Sequence, residues 1–224
     1  MERLSETVVK AFASFSTTNI SDALDSLGLK SGICGIIPAF SCPKIAGPVV
    51  TVKMTAAGLT PSKAHVGVEA IDLAQPGDII VIDNGGRTDV SCWGEILGYG
   101  AKNKGVRGVI IDGAFRDVDE IREIGFPVYA RCVVPVTARF RIMQESVNTV
   151  IQCGGVQVRP GDIAVADGSG VCIVPKERIE EVLEKARALY EKEQAMISDI
   201  KKGMSMKAVD SKYQYEKMLR ERTE

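Results

Sequence analysis

The sequence predicts an α/β fold with many short strands and a helical C-terminus. Two segments, 76–83 and 160–167, share one pattern: a Pro-Gly-Asp turn starts an apolar run that ends at an aspartate, as expected for two buried strands. Between them, residues 94–124 alternate helical and strand-like apolar spacing. Residues 177–201 then carry strong helix formers with apolar residues at helical spacing. Because the β-α alternation does not recur along the whole chain, the pattern does not favour a (β/α)₈ barrel.

The other elements follow from apolar periodicity and from the residues that start and stop it. Residues 16–19 (STTN) offer capping side chains for a second helix, and Gly28 closes that helix. The predicted helices are 4–15, 21–27, 63–74, 94–104, 117–124 and 177–201. Besides the two strands that follow Pro-Gly-Asp, the predicted strands are 45–54, 106–112, 128–130, 133–138, 147–153 and 171–174.

The composition indicates an ordinary globular protein of the cytoplasm. The 224 residues are 45% hydrophobic and 25% charged, and a formal net charge of −1 gives no bulk attraction to nucleic acid or to anionic membranes. The first ten residues are charged, so we expect no secretory signal, and no apolar run is long enough for a membrane helix. The six cysteines contain no CxxC pair, which favours reduced thiols over a zinc site.

The scarcity of histidine limits the chemistry. His65 is the single histidine, which excludes a histidine-rich metal site within one chain. Carboxylates, arginines and backbone amides therefore remain as the reactive groups. His65 falls in the predicted 63–74 helix, where we expect a surface histidine without a catalytic role. Trp93 is expected either to line the mouth of a site or to pack in the core.

Two strand ends carry polar residues that favour a ligand site. After Asp83 a glycine-containing loop leads to a helix that starts near Gly94, and amides at a helix start favour anions. A second strand end is followed by Arg116 and Asp117. Since ligands of open α/β sheets bind outside the carboxyl ends of strands, both ends are expected to face one crevice. Asp117 would offer a hard oxygen ligand for Mg²⁺ or Mn²⁺, and Arg116 a planar donor fork for an oxyanion. A surface ion pair beside a helix cap fits the same residues.

Several short motifs recur in the order of a known family. They are 21–25 (SDALD), 45–48 (IAGP), 76–78 (PGD) with Asp83, 94–97 (GEIL), 108–117 (GVIIDGAFRD), 160–162 (PGD) and 167–171 (DGSGV). Over about two thirds of the chain the sequence therefore resembles the family that contains the regulator of ribonuclease activity A and the 4-hydroxy-4-methyl-2-oxoglutarate and 4-carboxy-4-hydroxy-2-oxoadipate aldolases.

The resemblance implies a swivelling β/β/α fold. One RraA-like domain would cover residues 1–175, and a C-terminal helix and tail over residues 176–224 would pack on a neighbouring subunit. The resemblance also implies a homotrimer or a homohexamer with sites at subunit boundaries. Together with the composition, it predicts a small 2-oxo acid as substrate and neither nucleic acid nor a membrane as partner.

The resemblance further implies a metal-dependent site in the aldolase branch. There a glycine, an Arg-Asp pair about twenty residues later and a nearby acid mark the site, and Gly94, Arg116, Asp117 and then Asp119 or Glu120 match them. The non-catalytic ribonuclease regulators lack the acid after the arginine, so Asp117 favours the enzyme branch. The implied ligands of Mg²⁺ or Mn²⁺, held largely through water, are Asp117, Glu95 and Glu193 from a neighbouring subunit, with Glu191 as the alternative to Glu193. The implied catalytic residues are Arg116 and Asp117, and the implied substrate-binding residues are Gly94, Glu95, Ile96, Leu97 and Arg116.

The implied reaction cleaves 4-hydroxy-2-oxo acids, such as 4-hydroxy-4-methyl-2-oxoglutarate, and releases pyruvate. Oxaloacetate decarboxylation would be a side activity, because loss of CO₂ leaves the same enolate. Schiff-base chemistry through Lys63, Lys102 or Lys104 is the competing route, although nothing in the sequence marks one of them as desolvated. A protein-binding regulator of ribonuclease activity and a lyase of different substrate are the alternative functions.

Overall fold

A mixed eight-stranded sheet organises the chain in a computed structural model, which describes residues 5–30, 32–60 and 65–214. The strands are β1 Ile37–Pro38, β2 Ile45–Ala56, β3 Ile79–Ser91, β4 Gly108–Phe115, β5 Val128–Val133, β6 Ile142–Val147, β7 Ile151–Cys153, β8 Val156–Val158, β9 Ile163–Asp167 and β10 Gly170–Val174. The helices are α1 Glu6–Ser14, α2 Thr17–Ser26, α3 Val68–Leu73, α4 Glu95–Lys104, α5 Val118–Ile124, α6 Ile179–Lys201 and α7 Met206–Tyr213.

The sheet has the order β1-β5-β4-β3-β2-β9-β10, and β6 also pairs with β2. Strands β2 to β5 are parallel neighbours, whereas β9 and β10 pair antiparallel and complete a nearly closed, barrel-like sheet. Parallel strands need cover on both faces. Helices α3, α4 and α5 cover one face, and the β7-β8 hairpin covers the other. This arrangement brings the carboxyl ends of β3 and β4 side by side.

The C-terminal helix packs against its own chain. Val182, Ala186 and Leu189 of α6 are buried in one apolar cluster with Phe12 of α1 and Leu24 of α2. Helix α6 follows the predicted helix 177–201 closely, and a single turn of 3₁₀ helix precedes it. Contact with a neighbouring subunit stays a prediction. In the described part of the chain, no helix is both long and apolar enough to cross a membrane.

The glycine-containing loop predicted after Asp83 is instead part of β3. Gly85 and Gly86 have positive φ angles of 63° and 70°, and the pairing with β4 shifts between Asp83 and Arg87. Extra residues in one strand form a bulge, which bends the strand without ending it. The prediction was wrong because glycines with positive φ serve bulges as well as loops. As a result, β3 continues to Ser91 and leads directly to the start of α4.

Other boundaries differ because of local backbone chemistry. The strand predicted over 133–138 stops at Val133, since Pro135 has no N–H to donate to a ladder. The strand predicted over 147–153 is divided into β6 and β7 by a turn in which Asn148 has a φ of 56°. The helix predicted over 63–74 begins only at Val68 within the described residues, and residues 61–64 lie outside them.

Candidate active site

A cavity of about 270 Å³ opens where β3 and β4 end. Its wall combines the start of α4, the residues that follow β4, and a turn that follows β5. Ligands of α/β sheets commonly bind at such a position, beyond the carboxyl ends of the strands. The lining consists of residues 91–97, Arg116, Asp117, residues 137–139, His65, Val66 and Val68. The predicted residues Gly94, Glu95, Ile96, Leu97, Arg116 and Asp117 are thus all in one wall.

Asp117 is the residue that connects the two strand ends. Its Oδ2 accepts a hydrogen bond of 3.0 Å from the backbone N–H of Glu95, the first residue of α4, and lies 3.5 Å from Nε of Arg116. The backbone of Asp117 is left-handed, with a φ of 59°, just before α5 begins. A non-glycine residue in this conformation costs on the order of 1 kcal/mol, and such strain concentrates at functional positions.

Gly94 makes room for this arrangement. A Cβ atom on Gly94 would lie 2.5 Å from Oδ2 of Asp117 and 3.3 Å from both Cγ and Nε of Arg116. The φ of Gly94 is −162°, an extended conformation that any residue adopts. Glycine is therefore required here for space, because a side chain would displace both charged groups.

Backbone hydrogen bonds fix Arg116 beside the end of β3. Its N–H donates to the carbonyl of Trp93 at 3.0 Å, and the N–H of Cys92 donates to the carbonyl of Ala114 at 3.0 Å. The guanidinium is 38% exposed and Asp117 is 33% exposed, so the ion pair alone stabilises the fold by about 0–1 kcal/mol. The surface ion pair considered from the sequence is therefore present, but it is part of the cavity wall.

The first amides of α4 differ in what they contact. The Glu95 amide is engaged by Asp117, whereas the Ile96 and Leu97 amides donate to no acceptor among the described residues. A helix start leaves its first N–H groups without partners in the helix, and these groups favour an anion. Among the implied substrate-binding residues of α4, Ile96 and Leu97 are therefore the two whose amides remain available to an anion.

The carboxylates of the cavity fit a hard divalent cation. Asp117 and Glu95 both line it, and Oδ1 of Asp117 accepts no hydrogen bond from any described residue. No group of three His, Cys, Asp or Glu side chains close enough to hold an ion occurs in residues 5–30, 32–60 and 65–214. Mg²⁺ commonly keeps several waters and binds through one or two carboxylates, so two acidic residues suit it better than they suit zinc.

Glu193 lies elsewhere in the chain, between α6 and α2. Its Oε2 accepts a hydrogen bond of 2.5 Å from Nδ2 of the buried Asn19, and it does not line the cavity. Burial, reinforced by the nearby charges of Glu193 and Asp25, raises the pKa of Asp22. Within one chain the structure thus does not bring Glu193 to Asp117, and its role in a neighbouring site stays a prediction.

The other acidic and basic candidates lie outside the cavity wall. Asp119 pairs with Arg122 at 3.0 Å on the exposed side of α5, and Glu120 is exposed. Nζ of Lys102 donates to the carbonyl of Ile124, and Nζ of Lys104 donates to that of Asp72. Lys63 lies outside the described residues.

His65 and Trp93 both line the cavity. His65 precedes α3, so the prediction that it lies on a helix was wrong. Trp93 is 2% exposed and stacks on Phe126 with ring centroids 6.1 Å apart, so it packs in the core and also lines the site.

Sequence reasoning missed four lining residues with polar or thiol side chains. Ser91 and Cys92 were not singled out, and Thr137 and Arg139 were assigned to or beside a strand. Pro135 was the available signal, because a proline within an apolar run predicts that the chain leaves the sheet. Burial raises the pKa of the Cys92 thiol to about 12, so this cysteine is not a nucleophilic thiolate at neutral pH.

Comparisons with known proteins agree with this fold. The RraA-like pattern, described as Aldolase/RraA, matches residues 17–173. The chain is 36% identical over 180 residues to a Halalkalibacterium halodurans protein named "Putative 4-hydroxy-4-methyl-2-oxoglutarate aldolase", covering 80% of this chain and 81% of that one. It is 31% identical over 200 residues to Protein DlpA of Legionella pneumophila; the match covers 89% of this chain but spans only 32% of DlpA.

The fold itself recurs in a solved structure. The crystal structure of RraAS2 of Streptomyces coelicolor, an unusual member of the RNase ES inhibitor RraA protein family, superimposes with a TM-score of 0.80 at 25% identity and covers 89% of this chain and all of that one. The nearly closed, barrel-like α/β sheet with a C-terminal helix thus matches the fold of RraA-like structures. The chain belongs to the RraA-like family, as the sequence motifs predicted.

Proposed function

We propose that this chain is a divalent-metal-dependent carbon-carbon lyase that cleaves 4-hydroxy-2-oxo acids and releases pyruvate, with oxaloacetate decarboxylation as a side activity. The observation that carries the proposal is the grouping of Asp117 and Arg116 in one cavity lining with Ile96 and Leu97, whose amides have no acceptor among the described residues. The aldolase name of the Halalkalibacterium halodurans relative supports the same reaction class. In this proposal the protein acts in the cytoplasm.

Each group of the wall has a role in this reaction. The Ile96 and Leu97 amides hold the carboxylate of the pyruvyl half. Cleavage breaks the C3–C4 bond, whose electron pair forms the C2=C3 double bond of the enolate as the 2-oxo oxygen takes the negative charge. The C4 hydroxyl gives its proton to water as C4 becomes a carbonyl, and C3 of the enolate then takes a proton from water to give pyruvate. Arg116 stabilises the negative charge that develops on the enolate oxygen, a contribution of about 2.7–4 kcal/mol for one well-placed donor. Oxaloacetate yields the same enolate when its C3–C4 bond breaks and CO₂ leaves.

Asp117 and Glu95 would hold Mg²⁺ or Mn²⁺ in this cavity, largely through water. The ion would act there as a Lewis acid on the 2-oxo group. Asp117 suits this role because one carboxylate oxygen is held by the Glu95 amide while the other has no partner among the residues described. A Schiff-base route has less support, since Lys102 and Lys104 lie away from the cavity.

The proposed assembly is a trimer or a pair of trimers in which Glu193 contributes to a neighbouring site. Asn19 holds the carboxylate of Glu193 in one orientation on α6, so a neighbouring subunit would meet a preset acidic group. Outer-shell groups of this kind typically change metal affinity or activity by about 10- to 100-fold.

A protein-binding regulator of ribonuclease activity is the second candidate function. The likeness to the Streptomyces coelicolor RraAS2 structure favours it. Asp117 argues for the enzyme, because a regulator has no need of a strained acidic residue in a cavity wall.

The decisive assay measures pyruvate release from a panel of 4-hydroxy-2-oxo acids and from oxaloacetate, with Mg²⁺, with Mn²⁺ and with a chelator. We expect metal-dependent release by the wild type and none by Asp117→Ala, since the substitution removes a metal ligand and little core volume. Thermal unfolding should show an intact fold in both. Glu123→Ala, which removes an exposed acid of α5, is the matched control. Metal-activated turnover by Asp117→Ala would rule out the role of Asp117.

A mixing experiment tests the shared site. Asp117→Ala and Glu193→Ala, each inactive alone, should regain part of the activity when they are unfolded together and reassembled, because some interfaces then contain both acids. A repeat with Glu191→Ala distinguishes the two glutamates. An active monomer in light scattering would contradict the shared site.

A further inference from the structure

Arg139 is a cavity residue to which the proposed reaction gives no role. It lies on the turn between β5 and β6 and lines the same cavity as Arg116 and Asp117. Two hydrogen bonds hold this turn to the end of β3: the N–H and the Oγ of Ser91 both donate to the carbonyl of Val136, at 3.0 and 2.6 Å. The next residue, Phe140, has a left-handed φ of 64° that closes the turn. The backbone that presents Arg139 is therefore anchored to the same strand that leads to α4.

Arg139 is exposed and brings a positive charge to the lining of the cavity. Across the residues described, its guanidinium makes no ion pair and no hydrogen bond, whereas Arg116 lies 3.5 Å from Asp117. Of the two arginines of the cavity wall, Arg139 is thus the one without an acidic neighbour. A guanidinium is permanently charged and binds a carboxylate through two parallel hydrogen bonds.

We propose that Arg139 binds a second acidic group of the substrate, on the fragment that separates from the pyruvyl half. This inference rests on the proposed function, which assigns the pyruvyl carboxylate to the α4 amides and the enolate oxygen to Arg116. Arg139 is on a separate segment of the wall, and its free fork selects diacids over monoacids of the same length. Within the proposed substrate class, Arg139 would therefore be the residue that favours members with a carboxylate on the C4 side.

A binding experiment tests the proposal without turnover. The ligands are 2-oxoglutarate and 2-oxopentanoate, which have equal chain length and differ by a terminal carboxylate against a methyl group; neither has a 4-hydroxyl to permit cleavage. Calorimetry with Mg²⁺ would compare the wild type with Arg139→Gln. We expect the variant to bind 2-oxoglutarate about 10- to 100-fold more weakly, since a hydrogen-bonded charge is lost, and 2-oxopentanoate within about threefold of the wild type.

Arg141→Gln is the matched control. Arg141 is two residues further along the same turn, and its side chain donates to the carbonyls of Thr137 and Arg139 without lining the cavity. We expect this variant to bind both ligands as the wild type does. Equal loss in the two variants, equal loss for the two ligands, or no preference of the wild type for 2-oxoglutarate would each overturn the role of Arg139.

An activity assay separates this proposal from the reaction on which it rests. The wild type would be given the diacid 4-hydroxy-4-methyl-2-oxoglutarate and the monoacid 4-hydroxy-2-oxopentanoate, and Arg139→Gln should lose kcat/KM only for the diacid. Binding that discriminates between the ligands without pyruvate release would uphold the Arg139 site and reject the proposed reaction. Pyruvate release without any discrimination between the ligands would uphold the proposed reaction and reject the Arg139 site.

Discussion

Helices α2 and α4 begin with the same device but leave different groups exposed. In each, an aspartate from a distant strand end accepts a hydrogen bond from the first amide of the helix. Asp167, the last residue of β9, accepts from Thr17 at 2.8 Å, and Asp117 accepts from Glu95 at 3.0 Å. A carboxylate at this position satisfies an orphan donor and interacts favourably with the helix dipole.

The start of α2 is closed. Ser16 accepts a hydrogen bond from the Asn19 amide, Thr17 is buried, and Asp167 also accepts from the Thr17 hydroxyl at 2.6 Å and from the Ser169 amide at 2.9 Å. Burial raises the pKa of Asp167, but these hydrogen bonds outweigh burial and the net pKa lies below the ordinary value. Asp167 is therefore a structural cap.

The start of α4 is open. Gly94 provides no capping side chain, Asp117 occupies the Glu95 amide, and the next two residues, Ile96 and Leu97, line the cavity. The comparison of the two helices shows that a carboxylate cap at a helix start does not by itself indicate a ligand site. The site is indicated by the donors that the cap leaves free.

After Asp117→Ala, the largest expected effect at the open start of α4 is that of Arg116→Lys. Arg116→Lys keeps the charge but loses the planar fork, so kcat for pyruvate release should fall by about 10²–10³. Steady-state kinetics with a saturating divalent metal would measure it. A variant within a factor of about three of the wild type would reassign Arg116 to the surface ion pair with Asp117, whose worth is roughly 0–1 kcal/mol.

Gly94→Ala should lower turnover, because the added methyl group would occupy space at the start of α4. Its Cβ would displace Asp117 and Arg116, and a misplacement of about 1 Å can lower turnover by on the order of 100-fold; we expect a loss of about 10- to 100-fold. The measurement is kcat/KM for pyruvate release.

The control for Gly94→Ala is on the same helix. A Cβ on Gly100 would meet only ordinary contacts, 3.8 Å or more from Ile71. Gly100→Ala should therefore keep full activity and stabilise the protein by about 0.5–1 kcal/mol, because alanine is the better helix former. Similar activity losses in the two variants would show that α4 tolerates no added methyl group. They would contradict the explanation that glycine is required at position 94 to leave space for Asp117 and Arg116.

The smallest expected effect is at the closed start. Asp167→Ala should leave pyruvate release unchanged and lower the free energy of unfolding by about 1–2 kcal/mol, since it removes a helix cap. Urea titrations at several pH values would measure the difference from the wild type.

The pH dependence of this difference follows from the lowered pKa of Asp167. A group whose folded pKa is depressed contributes stability above its unfolded value, near 3.8, and that stability is lost as the pH falls through the folded pKa. The variant and the wild type should thus differ fully at neutral pH and converge in acid. A difference that grows as the pH is lowered through the acid range would contradict the cap role.

Helix and strand identities were predictable where neighbours in the chain set them. The repeated Pro-Gly-Asp turns start β3 and β9 as predicted, since proline fixes φ and glycine permits a positive one. Ser16 caps α2 and Gly28 follows its end for equally local reasons, although α2 begins at Thr17 and the prediction placed its start at residue 21. The bulge at Gly85 and Gly86 was not predictable, because only pairing with a partner strand decides whether such glycines end a strand or bend it.

The sequence by itself determined the residue types of the candidate site and their spacing: Gly94, then Arg116 and Asp117 after a buried strand. The spacing does not predict that Asp117 caps α4, which begins 22 residues earlier, or that Asp167 caps α2, which begins 150 residues earlier. These contacts depend on the tertiary structure. The tertiary structure also decided that Arg139 shares the cavity. Turns and caps between chain neighbours are predictable because local dihedral preferences fix them. Contacts between segments that are distant in the sequence form only when the sheet brings its strand ends together.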